Sequence, residues 1–221
     1  MEIIGIIIGL VILIFSAILH EIMHGVAAEK LGDPTARLAG RITLNPIPHI
    51  DPLMTILLPA IMLLASHGTF AFGAAKPVPV NPLFFKDGRK DMALVALAGP
   101  ATNLIIALTG ALLFSAINPQ SNIFNLFLQI TSGGFAISFS DYLFFSIVST
   151  NIALGIFNLI PIPPLDGSKF FTIILPEEMA IKYQSLAPFG LMFLLIILFM
   201  TPAGEWINTL IVQTLRILGS L

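Results

Sequence analysis

His20, Glu21 and His24 stand in the order H-E-x-x-H inside the stretch LHEIMHG. On a helix, residues four apart share a face, so the two imidazoles can bind one metal ion. Glu21 is offset by one position, does not reach the metal, and is placed to take the proton of a water that the metal activates. That is the chemistry of a zinc hydrolase. The surroundings are unusual for one: residues Ile3–Leu19, leading into the motif, carry no charge at all. At 1.5 Å per residue His20 lies about 26 Å into that segment, near the inner boundary of a hydrocarbon layer. A carboxylate at such a depth costs roughly 2.5–3.5 kcal/mol on insertion scales and reads by default as functional.

Two histidines leave a catalytic zinc site one protein ligand short. Ala27 and Lys30 occupy the positions where a metzincin needs a glycine and a third histidine, which closes that route. Among the 12 acidic residues, Asp166 in NLIPIPPLDGSKF is set apart because it ends a long apolar helix. It can be the third ligand, or it can cap the next helix, where Asp is favoured. His49 and Asp51, in PHIDP, could add a metal contact or gate the site, but read better as polar loop groups. His67 reads as interfacial, Gly99 and Pro100 as serving close helix approach and a helix start. Asn103 falls within a span and is expected to hydrogen-bond to a neighbouring helix.

The elements that must position these residues follow from composition. The chain has 221 residues, 57% hydrophobic and 10% charged, with mean hydropathy +0.98. Soluble domains carry roughly 25% charged residues. The expected class is an all-α polytopic membrane protein. Four segments suffice to cross the bilayer: Ile3–Ala28, Met92–Ile117, Tyr142–Ile160 and Ser185–Ala203. A fifth, Pro52–Ser66, is shorter, has Pro59 at its middle, and suits a re-entrant or interfacial segment. The stretches RLAGRITLNPIPHIDP and FAFGAAKPVPVNPLF suggest a small membrane-associated β-region. Apolar residues at 207, 210, 211 and 218 suggest an interfacial amphipathic helix over Trp206–Leu221. The whole reads as a single domain, with its core over about residues 1–184 and a further spanning and interfacial part over 185–221. The first span lacks a basic leader and an A-x-A site and reads as a mature span, not a signal peptide. A net charge of −2 gives no reason to expect nucleic acid, and the absence of cysteine excludes disulfides and thiolate metal sites.

Charge placement orders the spans. If Pro52–Ser66 does not cross, Lys30, Arg37, Arg41, Lys76, Lys86, Arg89, Lys90, Lys169 and Lys182 share one side, and only Arg216 lies on the other. The positive-inside rule then puts that side, with the site, in the cytosol of a multi-pass cell-membrane protein. The first and third spans also run in the same direction, so His24 and Asp166 reach the same depth.

HEIMH on the first long helix, AGPATN opening the second and NLIPIPPLDG closing the third resemble the site-2 protease family of intramembrane metalloproteases. The resemblance covers roughly residues 15–170. It implies one zinc ion held by His20, His24 and Asp166, Glu21 as catalytic base, and Asn158 as a polar group that holds substrate or stabilises the oxyanion. The chain is similar to a compact bacterial subgroup, without the PDZ insert or the CBS domain of larger members. Its partners would be the lipid bilayer and transmembrane protein substrates, cut within or next to their membrane segments, as in regulated intramembrane proteolysis. Substrate identity and oligomeric state are not legible. A metal transporter using the same ligands predicts a polar path through the bilayer and inverted repeats, neither of which is visible. A catalytically silent scaffold is disfavoured by the intact ligand set with Glu21.

Overall fold

The structure is a computed structural model, which describes residues 2–57, 61, 64, 75–132 and 137–221. It begins with α1 (Glu2–Lys30), an unbroken helix. A segment this apolar must satisfy its peptide groups internally once it is in lipid, and a proline-free helix does so. The helix stops at Gly32, whose φ of +108° suits glycine, and the N–H of Asp33 bonds to the Ala28 carbonyl at 2.9 Å. A single turn, α2 (Thr35–Leu38), is followed by a 3-10 turn at Ile47–His49 and a π-helical turn at Pro52–Leu57.

After an irregular run over 75–81, α3 (Gly88–Ile117) starts at Asp87, whose carboxylate accepts from the N–H of Lys90. Next come α4 (Ile123–Thr131), capped by Asn122, and α5 (Phe139–Asn158), capped by Ser138. The chain then reverses through a proline-rich turn into α6 (Asp166–Phe171), and closes with α7 (Glu177–Gln184), α8 (Gly190–Met200) and α9 (Ala203–Leu218).

Helices α1, α3 and α5 pack on one another as the centre of the molecule. Small residues permit the approach: a Cβ on Gly155 of α5 would meet Leu104 at 2.9 Å and the Pro100 carbonyl at 3.3 Å. One end of this bundle is closed by an apolar cluster in which Phe114, Ile123, Leu126, Val148, Ile152 and Leu215 come together from α3, α4, α5 and α9. The opposite end carries the histidines. Large apolar side chains such as Leu10, Ile105 and Leu113 stay exposed, as expected of helices whose solvent is hydrocarbon. Among the described residues, four helical stretches are long and apolar enough to cross a membrane, over Ile7–Lys30, Gly88–Ile117, Phe139–Asn158 and Glu177–Leu198.

One expectation is corrected. The β-region is not formed: no strand occurs among the described residues, and the described part of the loop is built of turns and the irregular run 75–81. The prolines explain it. Pro77 and Pro79 have no N–H, and the two donors between and before them are spent elsewhere: Lys76 N–H on the His49 carbonyl, Val78 N–H on the Glu21 side chain. No ladder can propagate along such a run. Residues 70–74 of the second predicted stretch lie outside the described residues, as do most of Pro52–Ser66 beyond Leu57 and His67. The flanks of that segment meet, since Arg41 Nη2 donates to the Lys76 carbonyl at 2.6 Å.

Two further elements differ in detail. The nine-residue α4 was too short to register as a span, and the fourth span starts at Glu177, interrupted by a 3-10 turn at Ala187–Phe189 around Pro188. The tail is an amphipathic helix that starts and ends three residues earlier than expected, at Ala203 and Leu218, with Leu215 buried against the bundle.

Candidate metal centre

His20 and His24 project from one face of α1 toward α3, one turn apart, with their rings edge to face and centroids 4.6 Å apart. Both are buried, at 6% and 7% exposure. The outer nitrogen of each ring faces an oxygen that can only accept. His20 Nδ1 lies 2.6 Å from the amide oxygen of Asn103, and His24 Nδ1 lies 2.7 Å from the backbone carbonyl of Val95. Each Nδ1 therefore carries a proton and donates it, and in the neutral imidazole, the form that binds metal, this leaves Nε2 with a bare lone pair.

Those two lone pairs converge with a carboxylate. His20 Nε2 and His24 Nε2 are 3.0 Å apart, and Asp166 Oδ2 stands 3.0 Å from the first and 3.1 Å from the second. Three acceptors in a buried triangle repel one another unless a cation sits among them. Tetrahedral ligands at 2.0–2.1 Å from zinc lie about 3.3–3.4 Å apart, so the triangle matches a three-ligand zinc site to within about 0.3 Å. A further feature makes room for an ion: a Cβ on Gly99 of α3 would fall 2.6 Å from both Nε2 atoms. The backbone of α3 presses against the coordinating edge with no side chain in the way.

Asp166 reaches this point because the proline-rich turn folds α6 back on the end of α5. The fold-back is tight, for a Cβ on Gly167 would stand 2.1 Å from the Leu159 carbonyl oxygen. Asp166 does not act as a helix cap; it is the first residue of α6, with Leu165 in the cap position and no capping bond from a side chain. Its second oxygen, Oδ1, receives the Lys169 ammonium at 3.3 Å.

Glu21 is close by: a carboxylate oxygen and the two histidine nitrogens lie within 4.8 Å of one another. Its Oε2 accepts the N–H of Val78 at 2.8 Å. Asn158, the last residue of α5, is half-buried, and its amide donates to the Leu154 carbonyl at 3.0 Å. That bond ties it to its own helix and not to the triangle. His49 is buried and not a surface group; its Nε2 lies 3.0 Å from the Thr43 carbonyl. Asp51 accepts the N–H of Leu53 at 2.9 Å and so helps to start the π-helical turn. Both belong to the loop.

Sequence reasoning placed Asn103 against a neighbouring helix and missed that the neighbour is His20. It did not find the Val95 carbonyl or Lys169, and it read Gly99 as helix packing without the imidazoles. Only Asn103 had a visible signal, as an amide inside an apolar span.

The arrangement agrees with what the chain is similar to. A family profile, Peptidase family M50, matches residues 8–200. YwhC of Bacillus subtilis (strain 168), provisionally named a zinc metalloprotease, is 38% identical over 195 residues, covering 88% of this chain and 81% of that one. Rip2 of Mycobacterium tuberculosis (strain H37Rv), named in the same way, is 32% identical over 201 residues, covering 86% and 66%. Rip2 of Mycolicibacterium smegmatis is 27% identical over 202 residues, covering 90% and 69%. No solved structure matches at the same stringency.

Proposed function

This chain belongs to peptidase family M50, the site-2 protease type, and on that premise we propose that it is a zinc endopeptidase that hydrolyses peptide bonds within or next to transmembrane segments of membrane proteins. One observation carries the reading. Three ligand atoms, two from α1 and one from the start of α6, converge at one end of a helix bundle with a lipid-facing exterior, the two imidazoles in the orientation that Asn103 and Val95 impose.

His20, His24 and Asp166 would hold the zinc ion. Zinc supplies Lewis acidity there, making water nucleophilic near neutral pH and polarising the scissile carbonyl. Glu21 adjoins the site without being drawn into the triangle. The Val78 N–H fixes one of its oxygens and orients the carboxylate, so that it accepts the proton of the attacking water and returns it to the leaving amine. The Asn158 amide would turn from the Leu154 carbonyl to donate to the substrate carbonyl as negative charge builds on it. A transmembrane substrate keeps its peptide groups in helical hydrogen bonds, so it must unwind at the scissile bond before Glu21 and Asn158 can act on it.

The site would face the cytosol. Supporting this, Arg37 in α2, Arg41, Lys76 and Lys86 in the loop, and Arg89 in the first turn of α3 lie at the His24 end of the bundle. The contact of Arg41 with Lys76 favours Pro52–Ser66 leaving and returning on one face and not making a single crossing.

The test separates base from ligand. Glu21→Gln keeps the size of the side chain and removes the proton acceptor. It should retain about one zinc per chain and lose cleavage of a single-span substrate by about 10²–10⁴-fold. His24→Ala and Asp166→Ala should lose the metal together with activity. Near wild-type cleavage by Glu21→Gln would refute the assignment of the base, and full zinc retention by Asp166→Ala would refute the ligand set.

A further inference from the structure

Two buried amides stand behind His20, and both lie in apolar spans where a polar side chain is costly. Asn103, on α3, is fully buried, and Asn151, on α5, is 1% exposed. The chain of bonds between them has a direction. Asn151 Nδ2 donates to the Ile147 carbonyl and to Ser16 Oγ, both at 2.9 Å. Its oxygen therefore points to Asn103 and accepts from Asn103 Nδ2 at 2.8 Å. Asn103 is left with its own oxygen toward His20 Nδ1 and has no donor to offer it. A second weak donation from Asn103 Nδ2, to the Ser16 carbonyl at 3.4 Å, has the same sense.

We propose that Asn103 is the positioning residue that sets zinc affinity through His20, and that Asn151 holds the Asn103 amide in the one orientation that works. The proposal rests on the reading of His20 as a zinc ligand. The backbone carbonyl of Ile147 starts the relay, because a carbonyl can only accept. Two amides carry that constraint from α5 to α3 to α1, and it ends as a proton on His20 Nδ1 and a free lone pair on Nε2. If the Asn103 amide were reversed, its NH₂ would face His20 and favour the opposite tautomer, with the proton on Nε2 where the metal must bind. His24 needs no such relay. Its partner is the Val95 carbonyl, which is part of the α3 backbone and cannot turn over. The two ligands thus differ: one is oriented by backbone, the other by a side chain that substitution can remove.

The experiment measures zinc affinity of the purified full-length chain in detergent, by competition with a chromophoric chelator, next to the thermal midpoint of the zinc-free chain. Asn103→Leu, similar in size, should bind zinc about 10–100-fold more weakly, the usual effect of losing a partner behind a metal-binding histidine. Asn103→Asp, which restores an acceptor for Nδ1, should recover most of that loss. Zinc affinity unchanged in Asn103→Leu, or Asn103→Asp no tighter than Asn103→Leu, would overturn the proposal, and a lowered midpoint alone would assign Asn103 to packing. Should Asn103→Leu fail to fold, Asn151→Leu decides, because it leaves Asn103 in place, held only by its weak donation to the Ser16 carbonyl. A loss of up to about tenfold is expected there, and no loss overturns the proposal. Wild-type protein that binds no zinc, or His20→Ala that binds it as wild type does, would instead refute the metal site itself.

Discussion

Replacing Gly99 by alanine adds one methyl group at the coordinating edge of the site. That carbon would stand 2.6 Å from Nε2 of both His20 and His24, and 2.7 Å from His20 Cδ2, where ordinary contact begins at 3.4 Å. The rings would have to withdraw by about 0.8 Å, several times the roughly 0.2 Å by which metal–ligand distances vary. They are not free to do so. Asn103 holds His20 at 2.6 Å and Val95 holds His24 at 2.7 Å from the far side. The methyl and a correctly bound ion cannot both be accommodated. The cost to the metal-free fold is smaller, because overpacking costs about 1–3 kcal/mol while alanine gains about 1 kcal/mol over glycine inside a helix. A net loss of about 0–2 kcal/mol leaves a folded protein. Gly99→Ala should therefore purify as a folded chain whose zinc content after dialysis falls from about one ion per chain to near none, with proteolysis lost in parallel. One zinc per chain at wild-type affinity would show that α3 does not wall the site.

Gly167→Ala should be more severe, since its Cβ would stand 2.1 Å from the Leu159 carbonyl oxygen and no rotamer change relieves a clash with backbone. We expect a loss of 3 kcal/mol or more, at about the top of the range for overpacking or beyond it, seen as poor recovery of folded protein, and wild-type recovery would refute the tight fold-back of α6. Asp33, fully buried just beyond α1, accepts the backbone N–H of Asn81 at 2.7 Å and that of Thr35 at 3.0 Å, together with the Thr35 hydroxyl. Burial opposes its charge, but these donors hold its carboxyl below the ordinary value, so the stability it contributes is complete above about pH 3.9 and is lost only as pH falls through the lower folded-state pKa. Asp33→Ala should lower stability by about 1–3 kcal/mol for the donors left unpaired; a difference in thermal midpoint that closed above pH 5 would contradict this. Because the chain has no cysteine, Arg37→Cys and Gly88→Cys can each be probed alone with an impermeant thiol reagent in intact cells. Both should be protected, and labelling at position 88 only would mean that the intervening segment crosses.

What the sequence disclosed divides along a physical line. Spans are legible because the bilayer demands about 20 apolar residues whatever the neighbours are. The histidine pair is legible because a spacing of four fixes a shared face on any helix. Asp166 was within reach because two parallel spans return their ends to one depth, although the residues are 142 apart from His24. The β-region misled because Val and Ile between prolines resemble an edge strand. The prediction did not account for where the remaining N–H groups go, and at Val78 the answer is Glu21, 57 residues away.

The parts that tune the centre were illegible for the same reason. The Val95 carbonyl has no side-chain identity to read, and Gly99 matters for the atom it lacks. Asn103 could be recognised as an amide in the wrong solvent, which predicts a partner but not which one. Its partner follows from the crossing of α1 and α3, and the orientation of its amide from a carbonyl on α5. The first step lies within α5, and the next two are donors facing acceptors across helix boundaries, so on the proposed reading the state of His20 Nε2 is set by how three helices pack, and any packing that turned one amide over would leave the H-E-x-x-H letters intact and the proposed site unable to hold its ion.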